Sequence, residues 1–221
     1  EPTNEVNLLD WDPDGEDKVL AAICYSHTRL PEAQLLERVR QLCSDDRVAL
    51  MRAYVGGRAN RRHKPGRAFE RTNYRFDVLG DYGAFRDLQR HRMLTIEWQQ
   101  LTPHHGYEMP LPVADAGLEL RYDEAMERSA GLYAALVEPF PEQAAYAVSL
   151  GYRMRYVMQM NAREAMHLCE LRSSPQGHPT YRRVAQEMHR QIAERAGHRA
   201  IAEAMRFVDH EGRPTEAYPA N

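Results

Sequence analysis

Between Arg67 and Gly80, the stretch RAFERTNYRFDVLG sets Tyr74, Phe76 and Val78 in alternation with Arg75 and Asp77. That is the period of a strand with one face in a core and the other toward water. Gly80 stops it, and Asp81 is a side chain suited to cap a helix. Tyr82, Phe85 and Leu88 then recur every three residues, the spacing of a helix, and carry the chain to three adjacent residues, Arg90, His91 and Arg92. The residues beyond Arg92 read as strand again. A chain built on this succession must mix strand and helix around one core.

The same mixture runs along the rest of the 221 residues, a length that suits one domain with a sizeable core. EVNLLD reads as a strand, DPDG as a turn, and EDKVLAAICYSH as a helix with Val19, Ala22 and Ile23 inward. A second helix is expected from Pro31 through Leu35, Leu36, Val39 and Leu42, ending near Cys43. The segment PHHGYEMPLPVADAG reads as a loop, followed by a helix from Tyr122 to Val137 and a shorter one near Pro141. YRMRYVM leans toward strand, and a long helical tail ends in EGRPTEAYPAN, which is expected to fray. The chain begins at Glu1 rather than Met, as a piece excised from a longer polypeptide would.

Charge and cysteine content narrow the function classes. A net charge of −3 gives no global attraction for a polyanion, so any basic site has to be local. Three cysteines, without a paired C-x-x-C spacing, fit a reducing compartment better than a disulfide framework or a zinc site, and a cytoplasmic location is expected. No apolar run approaches the length of a bilayer span.

Two clusters stand out. Consecutive helical residues point about 100° apart, so Arg90, His91 and Arg92 cannot share one face of a regular helix. Either they complement the dipole at a helix C-terminus, or the helix ends there so that the three groups fan into a cleft and grip a phosphate-bearing cofactor. The second cluster is NAREAMHLCELR. On a helical wheel Asn161 and Arg172 fall together, with Arg163, His167 and Glu170 on the other side. It is either a salt-bridged surface helix or one with a polar face turned to a ligand or another subunit. His167 with Glu170, or His104 with His105, could start a metal site, but neither has a third ligand by spacing, and no metal is expected. A basic zone from Arg58 to Arg75 (Arg58, Arg61, Arg62, Lys64, Arg67, Arg71, Arg75) is a solvated face or a nucleic-acid surface. Phe69 and Tyr74 are few aromatics for a stacking platform.

Taken in order, these segments resemble the flavin-dependent thymidylate synthases (thymidylate synthase complementing proteins). RHRMLT resembles the start of that family's RHR-x-x-S signature, and NAREAMHLCELR with YRRVAQEM its Asn-x-Arg…Leu-Arg…Ile-Arg block. NLLDWDPDGEDKVLAAICYSH is similar to its opening strand and helix, and HKPGRAFERTNYRFDV to its His-x-x-Pro…Glu-His…Phe segment. The resemblance implies an α+β fold, helix-rich with a small mixed or antiparallel sheet and a central helix bundle, in a single domain over 1–221. It also implies a homotetramer with sites at subunit interfaces, and FAD as cofactor. The family's reaction moves a methylene from methylenetetrahydrofolate to dUMP, with NADPH reducing the flavin. The flavin contacts carry over to Arg90, His91, Arg92, Asn161, Arg163 and His167, and dUMP contacts to Arg86 and Arg172.

The nucleotide side departs from the pattern. The family's Gln after Arg86 is Asp87. The signature's second Ser and following Arg are Gln100 and Thr102, its Asn-Glu reads Glu97-Trp98, its closing Tyr is Pro103, and a further phosphate Arg aligns with Ala145. A phosphate dianion wants several charge-assisted donors, and two arginines are missing while a carboxylate is gained. Three functions stand for test: a synthase with a modified nucleotide pocket, a non-catalytic or regulatory FAD-binding domain that needs a companion domain, and, from another class, an RNA-binding module on the Arg58–Arg75 zone.

Overall fold

The computed structural model describes residues 5–211. Of the tail expected to fray, all but Glu211 lies outside them.

The alternating stretch is the second of four strands. β1 (Val6–Trp11), β2 (Asn73–Asp81), β3 (Leu94–Trp98) and β4 (Arg153–Asn161) form one antiparallel sheet in the order β1-β2-β4-β3. β2 and β4 pair over nine residues, Asn73 opposite Asn161 and Asp81 opposite Arg153. Tyr74, Phe76 and Val78 face Met160, Met158 and Tyr156, and all six are buried. The other face carries Arg75, Asp77, Arg155 and Gln159, with Arg155 and Asp77 ion-paired at 2.6 Å. This is the one-sided pattern of an antiparallel sheet with a single covered face.

Among the described residues there are nine α-helices. α1 (Gly15–Tyr25) and α2 (Glu32–Arg40) follow β1. α3 (Ser44–Val55) comes next, unannounced by the sequence pattern; Met51 is its one fully buried side chain. α4 (Tyr82–Leu88) leaves β2 directly, with Asp81 Oδ1 accepting from the Ala84 N–H at 2.6 Å. The segment expected to be loop contains a 3-10 turn at Pro103–His105 and a five-residue helix, α5 (Leu111–Asp115). α6 (Glu119–Val137) starts three residues before the expected Tyr122, and the expected helix near Pro141 is a 3-10 turn at Ala144–Ala147. The helical tail is three helices, α7 (Ala162–Arg172), α8 (Pro179–Glu194) and α9 (Arg199–Ala204), interrupted where Pro179 starts a new helix under its His178 cap and where Gly197 takes a φ of 74°.

α7 and α8 pack against the buried face of the sheet, with α1, α2, α3 and α9 around them, so the main core is shared between the sheet and the helices. The 3-10 segment Arg67–Arg71 closes one side through buried Phe69. A second, small core of Met126, Tyr133, Ala144, Val148 and Tyr152 holds α6 to the stem of β4. Each large apolar side chain buried in such cores contributes roughly 1.5–3 kcal/mol.

Candidate functional site

α4 ends at Leu88, and the chain from Arg90 to Met93 is no longer helical. There the three side chains part company. Arg90 and Arg92 are exposed, whereas His91 is 6% exposed and turned inward. His91 Nδ1 lies 2.8 Å from Glu164 Oε1, and Arg172 Nε donates to His91 Nε2 at 3.1 Å. Arg172 also donates to the Asp87 carbonyl at 2.6 Å and lies over the Tyr181 ring at 5.2 Å. Arg90 keeps a loose pair with Asp87, 3.7 Å apart.

The run lines one wall of a cleft of about 350 Å³. α7 forms the floor with Arg163, Glu164, Met166, His167, Leu171 and Arg172, and the loop after α3 contributes Arg58, Arg61, Lys64 and Pro65. Six of the eight residues expected at the site therefore meet here: Arg90, His91, Arg92, Arg163, His167 and Arg172. Asn161 is not in the lining. It is the last residue of β4 and caps α7, its Oδ1 accepting from Glu164 N at 2.9 Å, so the helical wheel does not extend to it. Arg86 is exposed on α4, also outside the lining.

α7 is not the surface helix that one reading of its polar residues proposed. Glu164 and Glu170 are 8% and 1% exposed. Glu170 turns into the core and takes a two-pronged hydrogen bond from Arg58, at 2.8 and 2.5 Å, rather than meeting Arg163 or His167. Burial pushes the Glu170 carboxyl up, against the opposing pull of Arg58. Arg58 also donates to the carbonyls of His63 and Arg61, at 2.6 and 3.2 Å, and so ties the loop carrying Arg61 and Lys64 to α7. Arg163 donates to the Pro65 carbonyl at 3.0 Å and to Glu70 at 3.2 Å, holding the other end of that loop.

The basic zone from Arg58 to Arg75 is thereby divided. Arg58 is buried, and Arg67, Arg71 and Arg75 lie beside Glu70, Glu32 and Asp10. Among the described residues, no carboxylate pairs with Arg61, Lys64 or Arg92. Three uncompensated cations around a cleft whose single carboxylate is bound to His91 give it a local positive charge, the chemistry that suits an anion.

His91, Glu164 and His167 bring ligand atoms within 4.8 Å of one another, a grouping the spacing did not reveal. Both ring nitrogens of His91 are already engaged, and Arg61, Lys64 and Arg172 surround the group, so its chemistry suits an anion rather than a dication. Partial burial lowers the His167 pKa; Glu164 pulls it up, and His91, Lys64 and Arg61 add to the lowering.

Sequence and structure comparisons bear on this geometry. The sequence profile of the thymidylate synthase complementing protein family matches residues 7–197. A UPF0159 protein of Chlamydia pneumoniae is 42% identical over 187 residues, covering 85% of this chain and 35% of that protein. One from Chlamydia muridarum is 39% identical over 95% of this chain and 40% of its own length, and one from Thermoplasma acidophilum 35% identical over 93% and 41%. The chain thus spans less than half the length of these relatives. A crystal structure of Thymidylate Synthase X from Helicobacter pylori, solved with FAD and dUMP, superposes with a TM-score of 0.64 over 91% of this chain and 98% of that one. At 19% identity the likeness is one of fold.

Proposed function

The chain belongs to the thymidylate synthase complementing protein family, and we propose on that premise that it is a single FAD-binding domain in which the cleft between α7 and the Arg90–Arg92 turn holds the flavin dinucleotide. One observation carries the reading: Arg61, Lys64 and Arg92, none paired with an acid among the described residues, converge with Arg90 and Arg172 on one cleft. A diphosphate wants several charge-assisted donors, and this donor set supplies them. Arg90, Arg92, Arg61 and Lys64 would hold the diphosphate, while Met93, Met166 and Leu171 offer apolar surface beside it. When bound, the flavin supplies hydride transfer.

The family's reductive methylation of dUMP, with methylenetetrahydrofolate and NADPH, is proposed only with nucleotide ligands brought in from outside this chain. Asp87 replaces the family's Gln and draws Arg90 and Arg172 toward itself, at 3.7 and 3.8 Å. Thr102 caps the turn at Pro103–His105, its Oγ1 accepting from His104 N at 3.3 Å, where the pattern carries a phosphate Arg. The relatives' additional length leaves room for a companion domain. A homo-oligomer, a tetramer by family, is supported by the apolar side chains that α6 and the segment after it expose, Leu120, Leu132, Phe140 and Tyr146 among them. Absence of disulfides among Cys24, Cys43 and Cys169 fits a reducing cytoplasm, and no described helix is long and apolar enough to cross a membrane. The RNA-binding reading is less favoured, because Arg58 sits in a buried ion pair, Arg67, Arg71 and Arg75 lie beside acids, and Arg61 and Lys64 line the cleft, leaving Arg62 exposed outside it.

The test is an absorbance spectrum of purified protein after reconstitution with FAD, followed by titration with dUMP. A flavin spectrum that is perturbed by the protein and unchanged by dUMP is expected. A spectrum that shifts with dUMP would make the nucleotide site complete in this chain, and no FAD uptake would refute the cofactor reading.

A further inference from the structure

We propose that Glu164 is the positioning residue of the Arg90–Arg92 turn: through one hydrogen bond to Nδ1, with Arg172 setting the tautomer from Nε2, it fixes the direction of His91, and so sets Arg90 and Arg92 at the rim of the cleft. The functional half of this inference rests on reading the cleft as an anion site.

The neighbours of His91 assign its protons. A guanidinium keeps all its N–H groups and can only donate. Arg172 Nε points at His91 Nε2 from 3.1 Å, so Nε2 must accept, and the ring proton stands on Nδ1, facing Glu164 Oε1 at 2.8 Å. A ring with both nitrogens used within the protein has nothing left for a ligand. The middle residue of the run is therefore a support for its two neighbours rather than an anion contact. Glu164 is itself held, since its backbone N–H donates to the cap Asn161. Asn161, Glu164, His91, Arg172 and the Asp87 carbonyl form one continuous chain from the end of β4 to the end of α4. It gives Asn161, which does not line the cleft, a route to affect it. With His91 buried, the residues on either side of it are directed outward, and both are exposed.

The experiment uses protein labelled with ¹⁵N at histidine, with wild type, Glu164→Gln and Glu164→Ala compared. The histidine spectrum reads the tautomer of His91, assigned with a His91→Gln variant, and calorimetry reads the affinity for FAD and for inorganic pyrophosphate. In wild type, Nδ1 carries the proton and Nε2 does not. Glu164→Ala is expected to shift the Nδ1 resonance of His91, with Arg172 still holding the proton off Nε2, and to weaken both ligands by about tenfold or more, the size of effect seen when the partner orienting a metal-ligating group is removed. Glu164→Gln keeps an acceptor oxygen and should stay within about threefold of wild type. A wild-type His91 with its proton on Nε2 overturns the proposal, as does a Glu164→Ala protein with wild-type affinities. If the alanine variant does not fold, Glu164→Gln decides, because retained affinity with a changed tautomer also contradicts it. A wild-type protein that takes neither FAD nor pyrophosphate refutes the cofactor reading, and the spectrum alone then decides the role of Glu164.

Discussion

The two flanks of the α4–β3 connection start from similar material and end differently. After α4, Arg90 and Arg92 reach an open cleft, joined there by Arg61 and Lys64 from a loop that a buried ion pair holds in place. On α4 itself, Arg86 stands exposed outside that cleft, and its neighbour Asp87 is a carboxylate within 4 Å of Arg90 and Arg172. On one side Arg92, Arg61 and Lys64 line the cleft with no acid beside them among the described residues; on the other Asp87 compensates Arg90 and Arg172, and Arg86 stands outside the cleft. Positive residues near a site are therefore not equivalent: what matters is whether an acid already compensates them and whether something buried fixes their direction.

The sharpest way to break this comparison is to remove the buried support. Glu170→Ala leaves the Arg58 guanidinium buried without its partner, and a loss of about 3–5 kcal/mol is expected in urea denaturation. Replacing both members, Arg58→Met with Glu170→Leu, should cost much less, since no lone buried charge remains. A Glu170→Ala protein as stable as wild type would show that the ion pair does not anchor the loop.

Next in size is the contrast between the two flanks. Arg92→Ala should weaken FAD binding by about 1.5–3 kcal/mol, the worth of a hydrogen bond to a charged group, whereas Arg86→Ala should leave it unchanged within error of calorimetry. Equal losses would mean that the surface field, not the cleft, attracts the ligand. Smaller again is Asp87→Asn, which removes a partly exposed carboxylate from beside Arg90 and Arg172 while the residue-87 main-chain carbonyl still holds Arg172. Affinity for inorganic pyrophosphate at the cleft should rise by about 1 kcal/mol, roughly fivefold. No change would mean that Asp87 does not compete for these cations.

The smallest effect concerns pH. Burial lowers the pKa of His105, His167, His189 and His198 below the ordinary 6.5. The unfolded chain thus takes up protons at these sites before the folded one does. Stability from this source is complete above about pH 6.5 and is lost as pH falls through the lowered folded values. His167→Gln should make the decline of the denaturation midpoint between pH 7 and 5 shallower, and a bound anion, by raising the pKa of His167 toward that of the unfolded chain, should shrink its part of the decline in the same way. An unchanged slope would contradict the assignment for His167.

Much of the fold was legible in the sequence because it was local. β2, the Asp81 cap and α4 announce themselves through a period of two, a capping residue and a period near three, and β4 through alternating methionines and arginines. α3 escaped because Asp45, Asp46, Arg47 and Arg52 are mixed with its apolar residues, and only Met51 is fully buried. α5 is too short to show a period. At the site, the cations of the two clusters could be read directly, but their supports could not. The partner of Glu164 lies 73 residues away, and that of Glu170 112. A local signal did exist for Glu164, since Asn161-x-x-Glu164 is a cap spacing, yet nothing in that spacing says that the carboxylate will reach across to His91 instead of back to its own helix.

The central claim is that the cleft grips the diphosphate of a flavin dinucleotide, and the most direct measurement is a calorimetric comparison of FAD, FMN and riboflavin on the same protein at low and moderate salt. The three share the flavin ring and ribityl chain; FMN adds one phosphate, and FAD a diphosphate with an adenosine, so the salt dependence is what reports the phosphates. Affinity should fall from FAD to FMN to riboflavin, with a salt dependence that is steepest for FAD and absent for riboflavin. Riboflavin binding as tightly as FAD, with no salt dependence in either, would contradict the claim.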